Sequence, residues 1–290
     1  MTDTKAKDFG ILSGSTLKLI ACIAMFVDHF GLIIYPTKMI FRIIGRLAFP
    51  MFAYFIAEGC KYTRNKLKHF LLLFSVGVVY FFFYLYAFES VYPSVFLTFS
   101  VSILNVYLLQ RLKEYVFNTG STAAPNGSIS TDVVKDTENT DETNHRVKFS
   151  RVLIAVFVFL CALGISYIPF HFAPFDYGYI GMLAPVLISL FDFSKVDAPS
   201  KLKSLDSKAV RLLFLAIICV SLAIRNPALK TELFGFRFTI QVFNLFSLPL
   251  LALYNGKAGT KKLKYFFYAF YPLHLGIIIM IKIIIDIAAM

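Results

Sequence analysis

Two neighbouring apolar stretches carry ionisable side chains that hydrocarbon would ordinarily exclude. The first, L-K-L-I-A-C-I-A-M-F-V-D-H-F-G, contains Lys18, Asp28 and His29. The second, F-R-I-I-G-R-L-A-F-P-M-F-A-Y-F-I-A-E-G, contains Arg42 and Arg46. A charge at membrane depth is costly and is kept where it pairs or functions. On a helix Lys18 and His29 lie three turns apart on one face, about 16 Å in rise. Arg42 and Arg46 are i,i+4 neighbours on one side of theirs. Entering from opposite ends, the two helices bring Asp28 to a height where it can pair with Arg42 or Arg46. Such a cluster either fixes two helices together or does chemistry. An imidazole beside it is either a hydrogen-bonded structural group or a general base, the role histidine fills most often. A third stretch, K-Y-F-F-Y-A-F-Y-P-L-H-L-G, sets His274 just after Pro272, where the ring or Tyr271 could satisfy a carbonyl the proline frees. Gln241, Asn244 and Ser247, with Asn105, read as glue between helices or as the lining of a polar path. His171 and Asp176, in P-F-H-F-A-P-F-D-Y-G-Y, belong to a turn that is a lid or part of a site.

The elements that position these residues follow from composition. Of 290 residues, 58% are hydrophobic and only 16% are charged, against about 25% charged in soluble domains. The mean hydropathy is +0.71. Collagen, coiled-coil, disulfide-scaffold and disordered classes are excluded. The four cysteines form no C-x-x-C pair and sit mostly in apolar runs, so neither zinc nor redox chemistry is indicated. Runs of about 20 apolar residues predict an all-α polytopic membrane protein of about nine helices. They fall near 16–35, 39–58, 69–88, 92–111, 152–170, 177–191, 211–225, 237–254 and 264–286, and the last either tilts or breaks at Pro272. The first run starts only at Leu17 and ends without a small-residue cleavage site, so it is expected to be retained. The whole chain reads as one transmembrane domain, with the polar stretch 118–147 a flexible cytoplasmic loop.

The net charge of +12 would raise nucleic acid as a partner for a soluble chain. Here it belongs to basic loops, so lipids and not nucleic acid are expected partners. With the N-terminus in the cytoplasm of a bacterial inner membrane, most of the 29 Lys and Arg fall inside. Lys38, Arg225, Lys230 and Arg237 alone occupy outer loops. No phosphate-binding glycine loop, H-E-x-x-H, G-x-S-x-G or dinucleotide fingerprint occurs, and no metal site is expected.

The stretches D-H-F-G-L-I-I-Y and F-R-I-I-G-R-L-A-F-P-M-F-A-Y-F-I-A-E-G-C-K-Y-T-R-N resemble the TraX family. F-D-Y-G-Y-I-G-M-L at 175–183, L-Y-N-G-K-A-G at 253–259 and K-Y-F-F-Y-A-F-Y-P-L-H-L at 264–275 agree with it. That family is associated with N-terminal acetylation of pilin and resembles the acyltransferase-3 group, whose first helix carries an Arg and an implicated His eleven residues apart. Lys18 and His29 hold that spacing here, with Lys in place of Arg. The resemblance implies acyl transfer, in the first place of acetyl from acetyl-CoA, to an amine or hydroxyl acceptor such as a peptide N-terminus or glycan. His29 would be the base. Arg46 and Arg42 would stabilise the oxyanion or position the donor, and Asp28 would order that neighbourhood. Lys18 would meet the donor nearer the cytoplasm, with Lys61, Arg64, Lys261 and Lys262 binding its phosphates. Gln241, Asn244 and His274 would line the path. The alternatives are a transporter or channel for a small anion or metabolite, and a non-catalytic scaffold.

Overall fold

The structure, a computed structural model, describes residues 10–89, 91, 93–118, 137–225, 230–233 and 236–290. Among them eleven α-helices follow one another: α1 (Gly14–Ile34), α2 (Met39–Gly45), α3 (Ala48–Tyr62), α4 (Lys66–Phe88), α5 (Val95–Phe117), α6 (Thr137–Phe172), α7 (Gly178–Ile188), α8 (Ser200–Lys203), α9 (Lys208–Arg225), α10 (Ser247–Ala252) and α11 (Lys264–Ala288). Eight of the nine expected spans fall on α-helix, and the remaining one, 237–254, begins in a β-strand and continues as a 3-10 segment and a short helix. Among the described residues, six segments are long and apolar enough to cross a membrane: 14–34, 39–62, 66–87, 95–117, 148–172 and 265–288. The sixth and eighth expected spans are short apolar helices, 178–188 and 240–252, and the latter begins as a 3-10 segment. The seventh, α9, carries Lys208, Arg211 and Arg225 in its 18 residues. The chain is a helical membrane protein with six clear spans among the described residues, where length and apolarity do not confirm nine.

Three further differences are local. Residues 39–62 form a broken helix, with α2 ending at Gly45 and α3 starting at Ala48. Pro50 has no N–H for the carbonyl four residues back, that of Arg46, and its ring crowds that group. Tighter bonds, Arg46 N–H to Ile43 O and Leu47 N–H to Ile44 O, close the α2 end. At Pro272, by contrast, α11 runs on without a break. In the expected outer loop, β1 (Lys230–Leu233) pairs antiparallel with β2 (Phe236–Thr239), Leu233 opposite Phe236. Of the expected flexible loop, 119–136 lie outside the described residues, whereas the backbone from Thr137 is already helical.

One end of the bundle is clasped by the L-Y-N-G-K-A-G stretch. Leu12 N–H donates to Leu253 O and Asn255 N–H to Leu12 O. Gly14 and Ser15 N–H donate to Lys257 O and Ala258 O. Gly259, at φ +79°, passes so close to Ser15 that a Cβ there would lie 2.0 Å from its Oγ. The starts of α1 and α11 are thereby tied together, and the two helices run up side by side. The core lies between α1, α3, α5, α7 and α9, with Phe49, Phe99, Met51, Ile103, Met182, Leu215 and Leu222 fully buried.

Candidate functional site

At the other end of the bundle, α1, α2, the α6–α7 turn and the start of the 240–252 segment enclose a cavity of about 820 Å³. Asp28, His29, Arg42 and Arg46 line it, joined by His171, Asp176, Tyr177, Arg225 and Gln241. Successive residues on a helix point about 100° apart, and Asp28 and His29 accordingly face different neighbours. Asp28 Oδ2 accepts from Arg42 Nη1 at 2.8 Å. Both its oxygens accept from Arg46 Nη2, at 3.1 and 3.0 Å. A Cβ on Gly45 would sit 2.3 Å from that of Asp28, so only glycine admits this approach. Arg46 Nε donates to Arg42 O at 3.2 Å and Nη1 to the Tyr177 hydroxyl at 3.4 Å. Asp28 and Arg46 are only 8% and 6% exposed. Two guanidinium groups thus share the Asp28 carboxylate. With Arg225 and Asp176 the cavity lining counts three guanidinium groups against two carboxylates, leaving positive charge in excess.

His29 turns instead to α11. His274 Nε2 lies 2.9 Å from His29 Nδ1. His274 Nδ1 is 3.0 Å from Phe270 O, and His29 Nδ1 is 3.1 Å from Met25 O. A carbonyl only accepts, so each ring carries its proton on Nδ1. His29 Nδ1–H is then shared between Met25 O and the His274 Nε2 lone pair. The proton is thereby kept off His29 Nε2, which has no protein partner among the described residues. An unprotonated ring nitrogen at a cavity wall, its tautomer fixed by a buried second histidine, is what a general base requires. Sequence spacing does not pair the two histidines. The only trace of the pair is that both lie roughly 20 Å above the clasped end.

The remaining residues divide by place. Gln241 lines the cavity, but Asn244 and His274 are buried behind its wall and do not line a path. Asn244 donates to Gln241 Oε1 at 2.8 Å. His274 spends its ring donor on Phe270 O and not on the Tyr268 carbonyl four residues before Pro272. Asn105 joins α5 to α6 through Ser166 at 2.8 Å, as glue. Lys18 does not line the cavity; its ammonium sits 5.1 Å from the Phe55 ring centre, toward the clasped end.

The basic residues expected to hold nucleotide phosphates lie at the clasped end too, across the bundle from the cavity. Lys61 is engaged by Asp192 at 3.4 Å and Asp206 at 3.5 Å, so it does not fit a free phosphate ligand. Arg64 and Lys262 are exposed there and do fit. The side chain of Lys261 lies outside the described residues. Around Lys61 runs a second ionic cluster. Arg211 bridges Glu58 and Asp206, and Lys113 donates to Ser189 O and Asp192 O, both at 2.9 Å. Burial alone would raise the Asp192 carboxyl. Hydrogen bonds from Ser194, with the Lys61 ammonium, hold it below its ordinary value.

Broken apolar helices around a charged cavity define a polytopic helical membrane protein with its candidate site near one end of the bundle. Residues 13–124, which carry Asp28, His29, Arg42 and Arg46, match the family model described as TraX protein. The resemblance carried by G-R-L-A-F-P therefore holds over that segment, while the motifs at 175–183, 253–259 and 264–275 lie beyond it. An uncharacterized protein of Rickettsia prowazekii (strain Madrid E) is similar, at 33% identity over 111 residues, 38% of this chain and 40% of the relative. The chain thus aligns with about two fifths of the length of that curated relative. No solved structure matches.

Proposed function

We propose that this protein transfers an acyl group, in the first place acetyl from acetyl-CoA, to a hydroxyl or amine acceptor, with His29 as general base. The observation that carries the reading is the His29–His274 pair, which leaves His29 Nε2 unprotonated at the cavity wall. His29 Nε2 takes the acceptor's proton as its oxygen or nitrogen attacks the thioester carbonyl carbon. The carbon–sulfur bond then breaks, and the same proton returns to the departing thiolate. The surplus guanidinium charge of Arg42 and Arg46 faces the negative charge that develops on the carbonyl oxygen, the term that usually dominates such catalysis. Asp28 holds both arginines in place, and Lys18 stays on the donor's approach, on the same α1 face as His29. The TraX likeness over residues 13–124 adds support.

With the N-terminus in the cytoplasm of a bacterial inner membrane, the cavity opens outward. It then receives the acceptor, while Arg64 and Lys262 meet the donor's phosphates on the cytoplasmic side. The test is release of free thiol from acetyl-CoA by purified protein with water or an added simple amine as acceptor, expected for the wild type and lost in His29→Ala. Intact acetyl-CoA, with anion uptake into proteoliposomes instead, would replace the reading by transport. The break in 39–62 beside buried charge is the feature that would then matter.

A further inference from the structure

The turn that closes the cavity over Arg46 holds a strained backbone conformation. Tyr177 has φ +59° and ψ −2°, the left-handed region, and Gly178 follows it at φ +56°. For an aromatic residue that conformation is strained and survives only where surrounding contacts impose it. Here they do. The Tyr177 ring stacks on Phe49, centroids 3.9 Å apart and planes inclined by 16°. Gly181 makes room, since a Cβ there would stand 2.5 Å from that of Tyr177. The neighbouring Asp176 is pinned to α5, its N–H donating to Pro93 O and its carbonyl accepting from Thr98 Oγ1. The strain thus delivers one group, the phenol, to the cavity wall beside Arg46.

The Tyr177 oxygen accepts from Arg46 Nη1 at 3.4 Å. Its own O–H has no acceptor among the described residues, and the ring lines the same cavity as His29. A hydroxyl that accepts from a guanidinium becomes a stronger donor. We propose, resting on the acyl-transfer reading, that Tyr177 is a catalytic residue. Its O–H donates to the thioester carbonyl oxygen as that oxygen becomes negative, completing with Arg46 a two-donor oxyanion site. No proton is transferred: the hydroxyl stays protonated, and its hydrogen bond shortens as charge develops.

Tyr177→Phe keeps the ring and its stack on Phe49 and removes only the donor. Thiol release from acetyl-CoA should fall about 10²–10³-fold in kcat, with KM and the melting temperature in detergent near wild type. A second measurement separates chemistry from packing. A trifluoroacetonyl thioether of coenzyme A, whose ketone hydrates to a tetrahedral gem-diol that can ionise to an oxyanion, should lose at least tenfold in affinity for Tyr177→Phe. The plain acetonyl thioether, which stays a trigonal ketone, should bind both proteins alike. Equal turnover by wild type and Tyr177→Phe, or equal loss of both analogues, would overturn the proposal and leave the acyl-transfer reading standing. Wild-type protein that releases no thiol would overturn both.

Discussion

Two buried ionic clusters, one at each end of the bundle, are built from the same residue types and do opposite things. At the clasped end Lys61, Lys113 and Arg211 face Glu58, Asp192 and Asp206, so formal charges balance and every group is engaged. This lattice joins α3, α5 and α9 to the α7–α8 and α8–α9 connections. At the cavity Arg42 and Arg46 both bond Asp28. Arg225 and Asp176 complete a lining of three guanidinium groups against two carboxylates, and beside them an imidazole leaves one nitrogen unengaged. Balanced buried charge holds helices together. Unbalanced buried charge at a cavity is costly unless something negative comes to it. The difference separates structure from function better than charge count or depth does.

The largest way to sharpen that contrast is His29→Ala. Thiol release from acetyl-CoA should fall ~10²–10⁴-fold, the range for a general base, while the melting temperature in detergent stays near wild type. Turnover at the wild-type level would remove His29 from the chemistry. Glu58→Ala should behave in reverse. It leaves Arg211 with Asp206 alone in a buried lattice, and breaking such pairs costs about 3–5 kcal/mol. The expected outcome is a large drop in melting temperature, with the surviving folded protein binding the trifluoroacetonyl analogue normally. A Glu58→Ala protein that is stable but cannot bind would put the functional cluster at the wrong end.

A smaller effect tests the packing that lets Asp28 serve two arginines. Gly45→Ala drives a methyl into Asp28 and should cost about 1–3 kcal/mol as overpacking, with turnover falling as the arginines shift. An innocuous Gly45→Ala would mean that the close approach of α1 and α2 is not needed. The smallest effect is the pH dependence of the clasped-end lattice. The Asp192 carboxyl is depressed in the folded protein, so its stabilisation is present above the ordinary carboxylate range and is lost as pH falls through the lower folded value. The difference in melting temperature between wild type and Asp192→Asn should therefore shrink on acidification. A gap unchanged down to pH ~2 would mean that the ion pair contributes nothing.

Much of the site is legible in the amino-acid sequence. Equal depth on two antiparallel helices predicts Asp28 with Arg42 and Arg46, and both pairs form. The break at Gly45–Ala48 is hidden in a run of unbroken hydropathy, where Pro50, four residues after Arg46, is its one local signal. Lys61 looks like a phosphate ligand because a basic run gives no hint of carboxylates 130 and more positions away. Tyr177 is inconspicuous inside F-D-Y-G-Y because a tyrosine before a glycine marks a turn without saying what the turn faces.

Hydropathy sums along the chain, residue by residue. The sequence by itself therefore determined that this is a helical membrane protein, where most helices run and which charges lie at membrane depth. Which of those charges meet is decided by the rotation of each helix about its axis and by which helices become neighbours. Both are set by packing between residues far apart in the chain. Only the tertiary structure could bring His274 to His29, tie Lys61 into a balanced lattice at one end and leave two arginines sharing one carboxylate at the other.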